Sequence, residues 1–139
     1  MDVTQISVFI ENRPGRAAEV CRTLEGAGVN VRGFMISDTN DYGILRLVVD
    51  DPERALSTLE ANGYAAKAKP VLVARLVDEP GNLSRLLEGL SAAGVNLVYA
   101  YSLISTYVAI AATDLDAVRA VAGEVGIELV DLPEIASWR

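Results

Sequence analysis

Histidine is absent from this 139-residue sequence, and cysteine occurs once, at Cys21. The lack of histidine excludes Ser-His-Asp and Cys-His catalysis, HExxH zinc sites and imidazole proton transfer near neutral pH. A single cysteine excludes an intrachain disulfide and a cysteine-cluster metal site. General acid–base chemistry would be left to scattered Asp and Glu residues. We therefore expect a protein that is not an enzyme and that holds no metal ion and no cofactor.

Long apolar runs and positive charge are also scarce. No apolar run approaches the ~20 residues that a membrane-spanning helix needs, and no basic segment precedes the first apolar stretch, as it would in a signal peptide. The chain has 12 Lys and Arg against 19 Asp and Glu, a net charge of −7, which argues against a nucleic-acid partner. We expect a cytoplasmic protein that contacts neither nucleic acid nor membrane.

The sequence contains an internal repeat. Pro14-Gly15 recurs 66 residues later as Pro80-Gly81, and the tetrapeptide AGVN that ends at Asn30 recurs at the same offset, ending at Asn96. Residues 12–32 and 78–98 align without a gap and are identical at seven of 21 positions. Such a match indicates a duplicated structural unit. We place the two domains at residues 1–69 and 70–139.

Each repeat has the pattern β-α-β-β-α-β. In the first, an apolar strand (Val3 to Ile10) precedes a helix with apolar residues at helical spacing (Arg16 to Ala27), and Asp51-Pro52 is typical of a second helix start. This order is that of the ferredoxin-like split βαβ. The fold class predicted is α+β, two tandem ferredoxin-like βαββαβ units, each with an antiparallel four-stranded sheet and both helices on one face.

The predicted connection between the repeats is short. We place it at Lys67 to Pro70, between a strand that begins at Tyr64 and one from Val71 to Val77. The apolar strands of both repeats are too hydrophobic to leave one sheet face in water. This predicts packing between the repeats or between copies of the chain.

The turn before the first helix is the candidate binding site. It comprises Asn12, Arg13, Pro14 and Gly15, and it directs the first amide N–H groups outward at the positive end of the helix, an arrangement that suits a carboxylate. Asn12 and Asn30 both offer carboxamide donors and acceptors, and we expect Asn30 to lie beside the turn. The alternative is that these residues are ordinary turn and cap chemistry.

The second repeat offers a related but more acidic set. Asp78 replaces the first asparagine, and Gly81, Asn82 and Asn96 follow at the expected places. A carboxylate at Asp78 favours an ammonium group and repels a carboxylate. Whether one or both repeats bind is left open by the sequence.

The segment ENRPGRAAEVCRTLEGAGVNV resembles the ACT domain, a ferredoxin-like regulatory module that binds amino acids. Asn12-Arg13-Pro14-Gly15 followed by Gly28-Val29-Asn30 matches its signature, and so does the DEPG and GVN pattern of the second repeat. The first turn is similar to the effector-binding turn of 3-phosphoglycerate dehydrogenases, but Ile10 stands where that family has a histidine, so serine specificity does not follow.

The resemblance covers essentially the whole chain as two ACT units. It implies an amino acid or related small carboxylate as ligand, bound between ACT units, a homodimer with four such units, and a partner enzyme under control. An alternative stays open, in which the chain resembles the small regulatory subunit of acetohydroxyacid synthase and acts through protein contact.

We also predict the surroundings of three further residues. Cys21 lies on the apolar stripe of the first helix and is expected to be buried. Tyr99 and Tyr101 alternate on a predicted strand and therefore share one face. Their expected role is packing rather than lining a pocket.

Overall fold

The computed structural model describes residues 2–11, 13–38, 41–103 and 107–138. They form two successive β-α-β-β-α-β series that share one strand, followed by a short helix. In chain order the elements are β1 (Val3–Glu11), α1 (Arg16–Gly26), β2 (Val31–Asp38), β3 (Tyr42–Val49), α2 (Pro52–Ala61), β4 (Ala65–Arg75), α3 (Asn82–Ala92), β5 (Leu97–Ser102), β6 (Tyr107–Ala112), α4 (Leu115–Val125), β7 (Glu128–Val130) and α5 (Leu132–Ser137).

The chain divides into two compact units. We call Thr4–Lys69, together with the residues from Leu132 onward, the N-terminal unit. The C-terminal unit is Pro70–Asp131 together with the residues before Thr4.

The N-terminal unit contains a sheet of order β2-β3-β1-β4. Its β1–β3 and β2–β3 pairs are antiparallel, and Leu47 lies opposite both Ile6 and Phe34. The strand side chains that face α1 and α2 form a buried core with apolar residues of these helices, because alternate strand residues point to one face. This core comprises Ile6, Val8, Ile10, Val20, Leu24, Val29, Leu45, Leu47, Val49, Ala55 and Leu59.

The C-terminal unit repeats this arrangement. Antiparallel pairs join β5 to β6, β6 to β4, and β4 to β7. Its core, formed with α3 and α4, comprises Leu72, Ala74, Leu86, Leu90, Ile110, Ala112, Val118, Val121, Ala122 and Ile127. The fold class predicted from the repeat, two ferredoxin-like α+β units, is therefore confirmed.

The predicted connection at Lys67 to Pro70 is wrong. One uninterrupted strand, β4, runs from Ala65 to Arg75 and contains these four residues. Proline lacks an amide donor and therefore indicates an interruption, yet a strand tolerates it where that donor is not needed for the ladder. The last strand of the first repeat and the first strand of the second are thus a single element.

The C-terminal tail forms the short helix α5. Ile135 is fully buried, and the Arg32 guanidinium donates from Nη2 to the carbonyl oxygen of Ala136 at 3.0 Å. These contacts hold the tail against β2 within the N-terminal unit.

Cys21 is exposed, contrary to the expectation of a buried thiol. The buried residues of α1 are Val20 and Leu24, so the next position along the helix is turned away from the sheet. Tyr99 and Tyr101 share one face as predicted, and their rings stack with centroids 6.2 Å apart.

Candidate functional site

The turns before α1 and α3 have the same backbone geometry. Gly15 precedes α1 with φ of 88°, and Gly81 precedes α3 with φ of 92°. Both values lie in the left-handed region that favours glycine. The repeat therefore places a glycine where each chain turn enters its helix, with Pro14 exposed directly before Gly15.

The four long helix starts differ in how they are capped. The Asp51 carboxylate accepts the amide N–H of Arg54 at the start of α2, and Asp114 accepts that of Ala117 at the start of α4. At α1 and α3 the residue at this place is a glycine, and no side chain of the described residues caps the helix. Since the first amide N–H groups of a helix have no partner within it, these two ends retain donor capacity for an external anion.

In each turn, one of these helix amides makes a long hydrogen bond to a backbone carbonyl of the turn. The amide of Arg16 donates to the Arg13 carbonyl at 3.4 Å, and the amide of Asn82 donates to the Glu79 carbonyl at 3.3 Å. Both distances are longer than usual for N–H···O bonds. A bound carboxylate could compete for these donors.

The two arginines of the first turn have different surroundings. Arg13 is 61% exposed and pairs with Glu11, Nε to Oε2, at 2.8 Å. Arg16 pairs with Glu19 at 2.5 Å, and its guanidinium lies over the ring of Tyr64 at 5.7 Å from the centroid. Of the two, Arg13 is the side chain that remains accessible to a ligand at the turn.

The C-terminal unit has an open cleft of about 370 Å³ at its turn. Asp78 and Glu79 supply the charged part of its wall, and Ser102 and Tyr107, at adjoining ends of β5 and β6, also line it. The remaining wall is apolar and comprises Leu76, Val77, Leu83 and Val108. Such a cleft suits a small ligand with a cationic group and an apolar part.

Asn82 supports the turn. Its side-chain Nδ2 donates to the carbonyl oxygen of Val77 at 2.9 Å, which ties the start of α3 to the end of the preceding segment. The predicted residues Gly81 and Asn82 thus shape the turn, and Asp78 lines the cleft itself.

The expectation that Asn30 lies beside the first turn is wrong. Asn30 follows the C-terminal end of α1, whereas Arg13 and Gly15 precede its N-terminal end. An 11-residue helix rises roughly 16 Å at 1.5 Å per residue. Within one unit, the turn and the asparagine are therefore at opposite ends.

The second unit shows the same separation. Asn96 lies in a different depression, of about 310 Å³, next to Gly94 and Leu97, and Asp78 lies in the cleft with Ser102. Asn12, also predicted as a ligand-binding residue, lies outside the described residues.

Sequence reasoning missed several residues of the cleft. Glu79, Leu83, Ser102 and Tyr107 line it without having been predicted as site residues. Ser102 and Tyr107 flank the tip of a predicted hairpin in an antiparallel sheet, and this position was the available signal.

Comparison with protein families decides the assignment. The family model of the ACT domain pair matches residues 1–129. The chain belongs to the ACT domain pair family. Membership supports a small-molecule-binding regulatory role.

Solved structures resemble this ACT domain pair over nearly their whole length. Protein BT0572 from Bacteroides thetaiotaomicron superposes with a TM-score of 0.92 at 31% identity, with 99% of this chain and 98% of that chain covered. The ligand-free regulatory subunit of aspartate kinase from Thermus thermophilus gives a TM-score of 0.65 at 20% identity, with 90% and 93% covered. The regulatory subunit of aspartate kinase from Thermus flavus gives 0.61 at 21% identity, with 91% and 94% covered.

The last two likenesses show the fold alone. No curated protein matches the sequence significantly. Among the described residues of the ACT domain pair, no helix is long and apolar enough to cross a bilayer, and no group of three His, Cys, Asp or Glu side chains could hold a metal ion.

Proposed function

We propose that this ACT domain pair is a regulatory protein that binds an amino acid or a related small carboxylate. The observation that carries the proposal is the contrast between its helix starts: α2 and α4 are capped by aspartates, whereas α1 and α3 begin at glycines and are not capped by any side chain within the described part of the chain. Uncapped amides at the positive end of a helix stabilise an anion. The same device occurs in both units at equivalent positions.

The two turns form separate sites that favour different groups of a zwitterionic ligand. Arg13 and the amides after Pro14 and Gly15 favour the carboxylate in the N-terminal unit. In the C-terminal unit, Asp78 and Glu79 favour the ammonium group, and the apolar part of the cleft accommodates a side chain. The acidic wall makes the second site less suited to a ligand with only a carboxylate.

A second protomer completes each site. Because Asn30 and Asn96 lie a helix length away from the turns of their own units, either of these asparagines reaches a turn only when it comes from another unit. Packing two such helices antiparallel, side by side, brings the end of one to the start of the other. We therefore propose a homodimer with four ACT units and ligands at its interfaces.

The role that follows is control of a partner enzyme. Solved structures with this fold include proteins named as regulatory subunits of aspartate kinase. A ligand at an interface can bias the packing of protomers when it binds one packing more tightly than another. A partner enzyme that senses this packing would be regulated without any reaction on the chain itself.

Binding is tested by thermal-shift screening of the full chain against the twenty common amino acids at millimolar concentration. A ligand at ~100 times its Kd stabilises the folded state by about 2.7 kcal/mol, so a true ligand raises the Tm by several degrees. If none of them changes the Tm, the amino-acid proposal is wrong.

Calorimetry then assigns the residues. Asn12→Ala and Arg13→Ala should weaken binding at the N-terminal turn, and Asp78→Asn at the C-terminal cleft. Glu60→Gln removes the same charge as Asp78→Asn at an exposed position of α2 and serves as the control. Equal affinities of Asp78→Asn and Glu60→Gln would remove Asp78 from the site.

A further inference from the structure

The outer faces of α1 and α3 differ in size at equivalent positions. Leu83 and Leu87 project from α3 and are 52% and 41% exposed. The residues 66 positions earlier are Ala17 and Cys21, which line an apolar depression of about 160 Å³. The C-terminal unit therefore has protruding leucines where the N-terminal unit has a depression.

The edge strands beside these helices, β2 and β5, show the opposite difference in side-chain size. On β2, Phe34 is 61% exposed and Ile36 is 52% exposed. The equivalent positions of β5 are Ala100 and Ser102. Large strand side chains thus accompany the small helix face, and small strand side chains accompany the large helix face.

Exposed side chains at equivalent positions of α1 and α3 also carry opposite charges. Arg22 lies on the exposed flank of α1, and the equivalent residue of α3 is Glu88, which is also exposed. Within the described part of the chain, no ion pair involves either residue. Two α1 helices packed on each other would place Arg22 near its own copy, because residues close to a two-fold axis meet themselves.

We infer that the N-terminal unit of one protomer packs on the C-terminal unit of the other, through α1 with β2 on one side and α3 with β5 on the other. Leu87 of one chain enters the depression beside Cys21 of its partner. Arg22 then faces the opposite charge of Glu88, which favours this pairing over the two like-with-like pairings. The inference rests on the proposed function, which requires a second protomer at each site.

This pairing specifies the composition of each binding site. Antiparallel packing of α1 on the partner's α3 places the partner's Asn96 beside Arg13 and Gly15. The partner's Asn30 is likewise placed beside Asp78. A two-fold dimer makes both contacts twice, giving two sites of each kind.

The single native cysteine provides the test. Cys21 and Leu87 are the middle residues of two 11-residue helices, so antiparallel alignment brings them together. In the full-length Leu87→Cys variant, mild oxidation should join Cys21 to the new cysteine of the partner and shift most of the protein to twice the 14.8 kDa chain mass. A disulfide forms only when the Cβ atoms approach to about 4 Å, so its formation reports direct apposition.

Three control chains separate the alternatives. The natural chain should stay monomeric on a non-reducing gel, since a Cys21–Cys21 bond would show α1 packing on α1. The Cys21→Ser, Leu87→Cys chain should also stay monomeric, since crosslinking would show α3 packing on α3. Ala120→Cys, on the exposed surface of α4, should not crosslink with Cys21.

Crosslinking in either of the first two controls overturns the inference, and so does its absence in the Leu87→Cys chain. Leu83→Cys lies one helical turn away from the position opposite Cys21 and should crosslink more weakly than Leu87→Cys, and circular dichroism checks that both variants are folded. Because the gel is read without ligand, its failure is distinct from failure of amino-acid binding in the thermal-shift screen.

Discussion

Asn30 and Asp50 are joined by two reciprocal hydrogen bonds. The amide of Asn30 donates to the carboxylate Oδ1 of Asp50 at 2.9 Å, and the amide of Asp50 donates to the carbonyl oxygen of Asn30 at 3.1 Å. The pair fixes the backbone of Asn30 where the chain enters β2. The position from which the Asn30 side chain extends is thereby held by backbone contacts.

Removing the Asp50 carboxylate should loosen this end of β2. We expect Asp50→Ala to lower the free energy of unfolding by about 1 kcal/mol, since one exposed hydrogen bond to a charged group is lost, and to weaken ligand binding through the less ordered Asn30. Urea unfolding and calorimetry measure the two effects. Thr113→Ala is the control, because Thr113 holds the equivalent place in the second repeat and is exposed; an equal loss in both variants would contradict the role of Asp50.

The glycines that begin α1 and α3 should resist replacement by alanine for a conformational reason. A Cβ at Gly15 or Gly81 would have nothing within 4 Å, so sterics with neighbours do not oppose it. The left-handed φ of each residue costs an L-residue about 1 kcal/mol or more. Gly15→Ala and Gly81→Ala should each lower the midpoint of urea unfolding.

The matched control makes the same chemical change with the opposite expected sign. Gly123 lies within α4, is exposed and also has open space at its Cβ position. Gly123→Ala should raise stability by up to about 1 kcal/mol, because alanine favours the helix. If Gly15→Ala were as stabilising as Gly123→Ala, the strained turn that we describe would not exist in solution.

Much of the fold could be predicted from the repeat, because the Pro-Gly and AGVN segments mark where the first helix of each unit begins and ends. The strand through Lys67 to Pro70 could not, because Pro70 locally indicates a break whereas these residues belong to the single strand β4. The sequence also predicted a helix from Arg16 to Ala27, close to the observed α1 (Arg16–Gly26), and the ends of a helix of this length are roughly 16 Å apart. Asn30 follows the turn soon in sequence but does not lie beside it within the unit, because the whole of α1 separates them.

Cys21 shows a different limit. A helix in contact with a sheet and a second helix has an apolar stripe wider than the buried face, so the stripe alone did not distinguish Val20, which is buried, from Cys21, which is exposed. The exposed part of the stripe is the surface that we assign to the second protomer. Ser102 and Tyr107 were not predicted as cleft residues for another reason. They line the cleft only if the ends of β5 and β6 lie next to the turn before α3, and the order of the strands in the sheet determines this.

Gly89 permits the close approach of α3 and α4. A Cβ at this position would lie 2.9 Å from Cγ1 of Val121 and 3.1 Å from Cγ1 of Val125. Gly89→Ala should therefore be destabilising by roughly 1 kcal/mol, since overpacking exceeds the gain in helix propensity. Thermal unfolding measures the change.

A double-mutant cycle identifies the cause. Val121→Ala alone creates a cavity and should destabilise the protein, but in its presence Gly89→Ala should cost much less, giving a coupling energy of about 1 kcal/mol. Strictly additive effects would show that the two side chains do not compete for the same space.

Reversing charges at the inferred interface should test its pairing without cysteine chemistry. Arg22→Glu places two acidic residues opposite each other when α1 packs on the partner's α3. The dimer contains two such pairs, each worth under about 1 kcal/mol, and each becomes repulsive, so the dimer Kd should rise by roughly tenfold. Adding Glu88→Arg restores opposite charges and should restore the Kd. If α1 packed on α1, Arg22→Glu would replace one like-charge pair with another, and Glu88→Arg would rescue nothing. Sedimentation equilibrium at low salt measures the difference, which should shrink at high salt because exposed charges are screened.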